Sequence, residues 1–230
     1  MGRIIMSGIV PNLTKPVSGT PLSTYTEGSI IKINENGSPV EFYVAKHDYE
    51  AGLNGAGRTL VVRKYCYGSG QEWDFYNRNT YADSTIDTWL TNTYSENFTD
   101  PIKGLIGTTK FYYTPGGSDM AVSTLERAFF LLSMTEFGYN NENSGTGVNT
   151  EGSVLPIATT LRIGYSKGVP KDVAVPHWTR SPKTDNTQAI WYLRIDGGAS
   201  YLKGGNTWYS RPIFTLPSIT KIDANGQVIE

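Results

Sequence analysis

Two short, mostly apolar runs, Ser29–Ile33 and Glu41–Ala45, flank Asn36-Gly37. Apolar runs of this length bounded by a turn signal read as strands. Asn-Gly is the pair that most readily takes the positive φ of a tight turn, so the pattern predicts a β-hairpin. Thr59–Tyr65 reads as a third strand. At Ser84 the spacing becomes helical: Ile86, Trp89 and Leu90 share one face, Ser84 is the N-cap, and Asp87 stands where a capping box places a carboxylate. Asp100-Pro101 predicts the N-cap and first residue of a second short helix running through Ile106. Lys110–Tyr113 and Ala128–Leu132 are apolar runs of strand length, and Ser133 is placed to cap one helical turn ending at Gly138. In Ala189–Ile195 the alternation assigns Ala189, Trp191, Leu193 and Ile195 to the core, with Ile190, Tyr192 and Arg194 on the opposite face.

Between these elements the chain punctuates itself. Residues 1–28 carry Pro11, Pro16 and Pro21 among Ser, Thr and Gly, with no sustained periodicity. They read as an extended N-terminal arm that cannot bury itself and is suited to docking on a neighbouring subunit. Residues 138–153 form a polar, Gly/Asn-rich loop of the length that is usually functional or mobile. From Trp178 onward short strand patterns and Gly-rich turns dominate. The expected organisation is an arm over 1–28, one α+β domain over 29–222 with short helices in its first half and an antiparallel sheet closed by C-terminal strands, and a tail over 223–230.

Composition narrows the function. Of 230 residues 38% are hydrophobic and 18% charged, enough for a core and too little charge for a disordered chain. A net charge of −1 argues against a general nucleic-acid or anionic-membrane binder. The 15 Tyr and 5 Trp suit both adaptable binding surfaces and strands. Cys66 is the sole cysteine, so an intrachain disulfide is excluded. The stretch Met1–Pro11 has one Arg and an apolar run broken by Gly8 and Pro11, too short for the core of a signal peptide. No apolar run reaches the ~20 residues of a membrane span. The expectation is synthesis in a cytoplasm, with exit by lysis, by a non-standard route or within a particle.

Catalytic patterns are sparse. His47 and His177 lie far apart, no Cys-x-x-Cys or His-x-x-x-His spacing occurs, and nothing near Cys66 in the chain supplies a base. Gly52, Gly55 and Gly57 are out of order for a phosphate loop and precede a strand pattern rather than a helix. Binding is expected in place of catalysis, with no cofactor and no metal.

One segment carries a resemblance. His177-Trp178-Thr179-Arg180-Ser181-Pro182, followed by Arg211-Pro212-Ile213-Phe214-Thr215-Leu216-Pro217-Ser218, resembles a domain family of bacteria and their phages. That family's hallmark is a Trp-(Trp)-Leu-Arg-Ser-Pro stretch, a variable hairpin region, then Arg-Pro-Ala with an apolar tail. Gly28–Lys32 leading into Asn36-Gly37 and Glu41–Val44 is similar to its opening, and Ser84–Ile86, Trp89-Leu90, Ile106-Gly107 and Phe130–Gly138 to its middle. Thr179 and Ile213 depart from the usual Leu and Ala, at positions of packing. The C-terminal pattern is also similar to formylglycine-generating enzymes and to retroelement-diversified phage receptor-binding proteins. The resemblance implies a C-type-lectin-like fold. The paired cysteines of the first group and the calcium-sugar motifs of lectins do not occur.

The two ends of that segment read as scaffold, with Trp178 in the core and Arg180 and Arg211 satisfying loop carbonyls. The span between them supplies the candidates for ligand binding: Asp185, Asn186, Tyr192, Arg194, Tyr201, Lys203, Asn206, Trp208 and Tyr209. In the phage receptor binders that this stretch resembles, diversification falls here. The implied function is a non-enzymatic structural or receptor-binding module of a phage virion, as a tail, tail-fibre or head-decoration component serving host attachment. Its expected partners are other virion subunits, reached through the arm, and a host-surface protein or glycan. Homo-oligomerisation, with a trimer as one form, fits that reading. The alternatives are a bacterial cell-surface adhesion module and, behind it, a formylglycine-generating-type enzyme.

Overall fold

The computed structural model describes residues 18–140, 147–168 and 170–229. The strand pairing begins with the predicted hairpin. Strands β1 (Thr20–Pro21), β2 (Ile30–Glu35) and β3 (Ser38–Lys46) open the chain, with Asn36 and Gly37 at φ 52° and 70° in the turn between β2 and β3. Helix α1 (Ala51–Asn54), β4 (Arg58–Arg63) and β5 (Tyr67–Glu72) follow. Helix α2 (Thr85–Asn92) starts where its cap predicts: Ser84 Oγ accepts the Asp87 N–H. Helix α3 (Asp100–Ile106) starts one residue earlier than its sequence suggests, with Thr99 as N-cap, because Asp100 already takes helical geometry ahead of Pro101.

The second half holds β6 (Thr109–Tyr113), β7 (Ser123–Arg127), α4 (Ala158–Leu161), β8 (Gly164–Ser166), β9 (Val173–Val175) and β10 (His177–Pro182). It closes with β11 (Ala189–Leu193), β12 (Ala199–Lys203), β13 (Thr207–Ser210), β14 (Ile213–Pro217) and β15 (Lys221–Ile222). The molecule is α+β, mostly strand with a few short helices, and its sheets are chiefly antiparallel. Of the two larger sheets, one runs β14-β4-β3-β2 and the other β12-β11-β10-β13-β5, with β10 and β13 parallel at His177 and Tyr209; β1-β15, β6-β7 and β8-β9 form two-stranded pairs.

A single apolar core lies between these sheets and the helices. Phe42 and Phe98 both pack edge-on to Phe214, and Phe111 stacks on Phe130 at 4.2 Å. Strand β10 is buried throughout, which explains why its sequence does not alternate.

Three expectations change. Ala128–Leu132 is not a strand: it is a buried, extended connector that makes one bridge, Phe130 to Ile213. Apolar runs of that length do not distinguish the two. Ile190 is buried along with Ala189 and Trp191, while Ile195 is 59% exposed, because β11 is covered on both faces and ends at Leu193 before Ile195 is reached. The arm and tail are shorter than drawn. Thr20–Pro21 pairs with Lys221–Ile222, and Leu22 is fully buried. The tail returns along β2: Lys32 donates to the Gly226 carbonyl at 2.7 Å, Val228 donates to that of Lys32 at 2.8 Å, and Val228 is buried. Residues 1–17 of the predicted arm and 141–146 of the long loop lie outside the described residues.

Candidate binding surface

The hallmark arginines act as the sequence suggests. Arg211 donates to the carbonyls of Arg63, Lys64 and Leu161 at 2.8–3.0 Å. Arg180, fully buried, donates to the carbonyls of Tyr112 and Leu131 and to the Glu136 carboxylate at 2.6 Å. Both are buried and brace loops against the sheets.

At one end of the five-stranded sheet a set of turns meets residues 74–79, part of the connector from β5 to α2. Asp74 is buried, and its carboxylate takes the backbone N–H, Nε and Nη2 of Arg78 at 2.9–3.1 Å. Burial alone would raise its pKa; the bonds from Arg78 outweigh that and hold it below the usual carboxylate range. Asn77, at φ 56°, accepts the Gly205 N–H at 3.0 Å. Buried Asn79 donates to the Asn186 carbonyl at 2.9 Å and accepts the Gly117 N–H at 2.7 Å, and its own N–H reaches the Thr187 carbonyl. A Cβ on Gly204 would stand 3.1 Å from the Arg78 carbonyl, so this turn approaches the connector closely.

On this fixed backbone Phe75 and Tyr76 project outward, 66% and 72% exposed, with their rings edge-to-face at 5.3 Å. The Arg78 guanidinium lies 5.2 Å from the Tyr76 ring centre. Two adjacent aromatic rings left in water, on a loop that is hydrogen-bonded at both ends, form a preorganised apolar contact surface.

The nine sequence candidates do not form one patch. Asp185, Asn186, Lys203 and Asn206 are exposed in the turns that hold the Phe75–Tyr76 connector. Asp185 pairs with Lys183, whose hydrogen bond holds that carboxyl below its ordinary range. Tyr201 is 49% exposed; it leans on Trp191 directly across the strand pair, and Lys183 Nζ lies 4.8 Å from its ring centre. Tyr192 belongs to the opposite face, in a row with Trp178 and Trp208, and is half-buried. Trp208 and Tyr209 are likewise half-buried. Arg194 sits at the far end of the β11–β12 hairpin, paired with Asp196 at 2.9 Å. The strand period explains the split: Trp191 registers with Tyr201, so Tyr192 and Tyr201 must point to opposite faces. Phe75 and Tyr76 carry no sequence signal beyond being two aromatics outside any periodic run.

Elsewhere the fold supplies a neighbour that the sequence hides. A Cβ on Gly164 would stand 2.9 Å from Cys66 Sγ and 2.5 Å from His177 Nδ1, so the thiol and the imidazole converge there. Burial pushes the thiol up to about 11, and burial together with the Arg211 charge pushes the imidazole down to about 3. The pair is therefore neutral at physiological pH, unlike the thiolate of an activated nucleophile. Among the described residues no three His, Cys, Asp or Glu side chains gather as a metal site. No helix among the described residues is long and apolar enough to cross a membrane.

A family profile described as a domain of unknown function, DUF6273, matches residues 56–218, which include both halves of the Trp178–Arg211 hallmark. No curated protein and no solved structure matches the chain.

Proposed function

We infer the role of this chain, which belongs to the DUF6273 domain family, from the surface it presents: it is a non-enzymatic binding module of a phage particle, holding a C-type-lectin-like fold. Its contact surface is the Phe75–Tyr76 connector with the turns around Asp185, Asn186, Lys203 and Asn206. The observation that carries this reading is the combination of exposure and rigidity at Phe75 and Tyr76. Rigid aromatic anchors ringed by amides and paired charges supply affinity without an ordering cost on binding. The neutral Cys66–His177 pair gives no reason to assign a thiol nucleophile. The fold assignment rests on the hallmark segment and on the buried bracing by Arg180 and Arg211. Subunit contacts made by the N-terminal segment belong to the same proposal, as does a homo-oligomer in the particle.

The test is binding of labelled protein to a glycan array and to a panel of intact bacterial cells. The double variant Phe75→Ala/Tyr76→Ala is expected to bind at least tenfold more weakly wherever the parent binds, with an unchanged melting temperature. Undiminished binding by a folded double variant would remove this surface from the proposal.

A further inference from the structure

Arg211 is a buried cation with no counter-ion. It is 3% exposed, and its three hydrogen bonds all go to backbone carbonyls, those of Arg63, Leu161 and Lys64. Among the described residues no carboxylate acts on it; its charged neighbour is Arg63, a like charge. Burial holds its pKa below the ordinary arginine value, and no acid offsets that. Arg180, the other hallmark arginine, differs here, because it has Glu136. A buried charge is costly unless it is paired. A guanidinium has five N–H groups, so one on each of Nη1 and Nη2 is left without a bond to the protein.

Arg211 also forms part of the wall of a recess of about 440 Å³. The recess lies between β3, the Lys64–Tyr65 turn, α4 and the β8–β9 hairpin. Tyr43, Tyr65 and Tyr165 line it, with Thr159 and Thr160 at its exposed rim. The Arg211 guanidinium lies 6.0 Å from the Tyr43 ring centre.

We infer that this recess binds an acidic sugar, a uronic or sialic acid unit, with the sugar carboxylate set against Arg211. The planar guanidinium matches the two oxygens of a carboxylate, and two N–H groups are what Arg211 has left to give. The other charges at the recess select a single negative charge. Lys64 Nζ already pairs with Glu41 at 3.0 Å, and Asp172 is an exposed carboxylate beside the Tyr65 hydroxyl. A phosphate monoester brings nearly two negative charges and a third oxygen, which Asp172 opposes and Arg211 has no donor to meet. The walls select a sugar among carboxylates. Tyrosine presents an apolar ring face with a polar tip, and a pyranose presents an apolar C–H face with a polar rim. The threonine hydroxyls both donate and accept, as sugar hydroxyls do. The volume is that of a small-ligand site. The recess shares no residue with the Phe75–Tyr76 surface, and the inference does not depend on that surface.

The experiment is calorimetric titration of the full chain with methyl glucuronide and N-acetylneuraminic acid, beside methyl glucoside, acetate and inorganic phosphate. At least one of the two acidic sugars is expected to bind about tenfold or more tightly than each of the other three. Tyr165→Ala removes a ring that is 39% exposed; it is expected to weaken acid binding about fivefold at an unchanged melting temperature. Asp172→Asn keeps an acceptor for the Gly168 N–H and removes the opposing charge. It is expected to tighten acid binding about two- to threefold, which a purely structural role would not do. The Phe75→Ala/Tyr76→Ala variant is expected to bind the acid as the parent does, which separates this site from the other surface. Five results would each overturn the inference: neither acidic sugar binding, methyl glucoside binding equally well, acetate or phosphate binding equally well, undiminished binding by Tyr165→Ala, or no gain in Asp172→Asn. Loss of acid binding in the Phe75→Ala/Tyr76→Ala variant would overturn it too, by moving the site to that surface.

Discussion

At the scale of single residues, the buried polar groups around Arg180 set the chemistry of the core. Glu136 accepts Tyr49 Oη, the Ser133 N–H and Arg180 Nη1 at 2.5–2.7 Å, while Glu151 accepts the Thr114 N–H and the Ser181 hydroxyl. Only Glu136 bonds to the guanidinium, while Glu151 feels its charge without touching it. Glu151 carries the uncompensated part: burial raises its pKa more than Arg180, Ser181 and Thr114 lower it. The folded chain therefore holds this proton to higher pH than the unfolded chain does. The stability it contributes is full below the ordinary carboxylate range and declines as pH rises through the raised folded value. Glu151→Gln keeps the shape and removes the charge. It is expected to melt higher than the parent at pH 7, with the advantage shrinking toward zero near pH 4. Melts from pH 4 to 8 decide this, and a parent that gains on the variant as pH rises would contradict it. The roles of Arg180 and Arg211 were legible because an arginine beside Ser-Pro or Pro among apolar residues has few other uses. Glu136 and Glu151 were not legible as its partners. They stand 44 and 29 positions earlier in the chain, and only the fold brings them to it.

At the scale of elements, local chemistry was readable and pairing was not. The hairpin, the Ser84 cap and the turn capped by Ser133 each rest on groups within four residues of one another. In that last turn Ser133 Oγ accepts the Glu136 N–H while Glu136 accepts the Ser133 N–H, a reciprocal capping box. Strand β5, YGSGQE, shows no apolar period and exists because β13 pairs with it. Tyr192 and Tyr201 were placed together because the sequence shows each strand's period and hides the register between strands. The predicted turn also gives the cleanest element-scale test. Gly37 sits at φ 70° with nothing within 4 Å of a Cβ, so Gly37→Ala adds backbone strain and no clash. The variant is expected to lose about 1 kcal/mol, the usual penalty for placing alanine where glycine's positive φ is required. Urea denaturation with an unchanged m-value would report it, and a loss within error would mean that the turn relaxes to another type.

At the scale of the whole molecule, the segments Thr20–Leu22 and Lys221–Ile229 close the fold. Strand β2 is the outer strand of its sheet, and an open edge of alternating Ile and polar residues is a template for pairing with another chain. The returning tail covers it: Gly226 and Val228 bond to both backbone groups of Lys32, and Val228 buries its side chain. Residues that read as a tail therefore serve as an edge cover, and β15 ties them to β1. Removing residues 223–230 should act in two separable ways. Loss of the buried valine and its hydrogen bonds is expected to cost about 2–3 kcal/mol. Uncovering β2 is expected to add concentration-dependent association that the full chain lacks. Light scattering across a hundredfold concentration range, beside urea denaturation, separates the two effects. A truncated chain as stable as the parent, with the same mass at every concentration, would show that β2 does not depend on the tail.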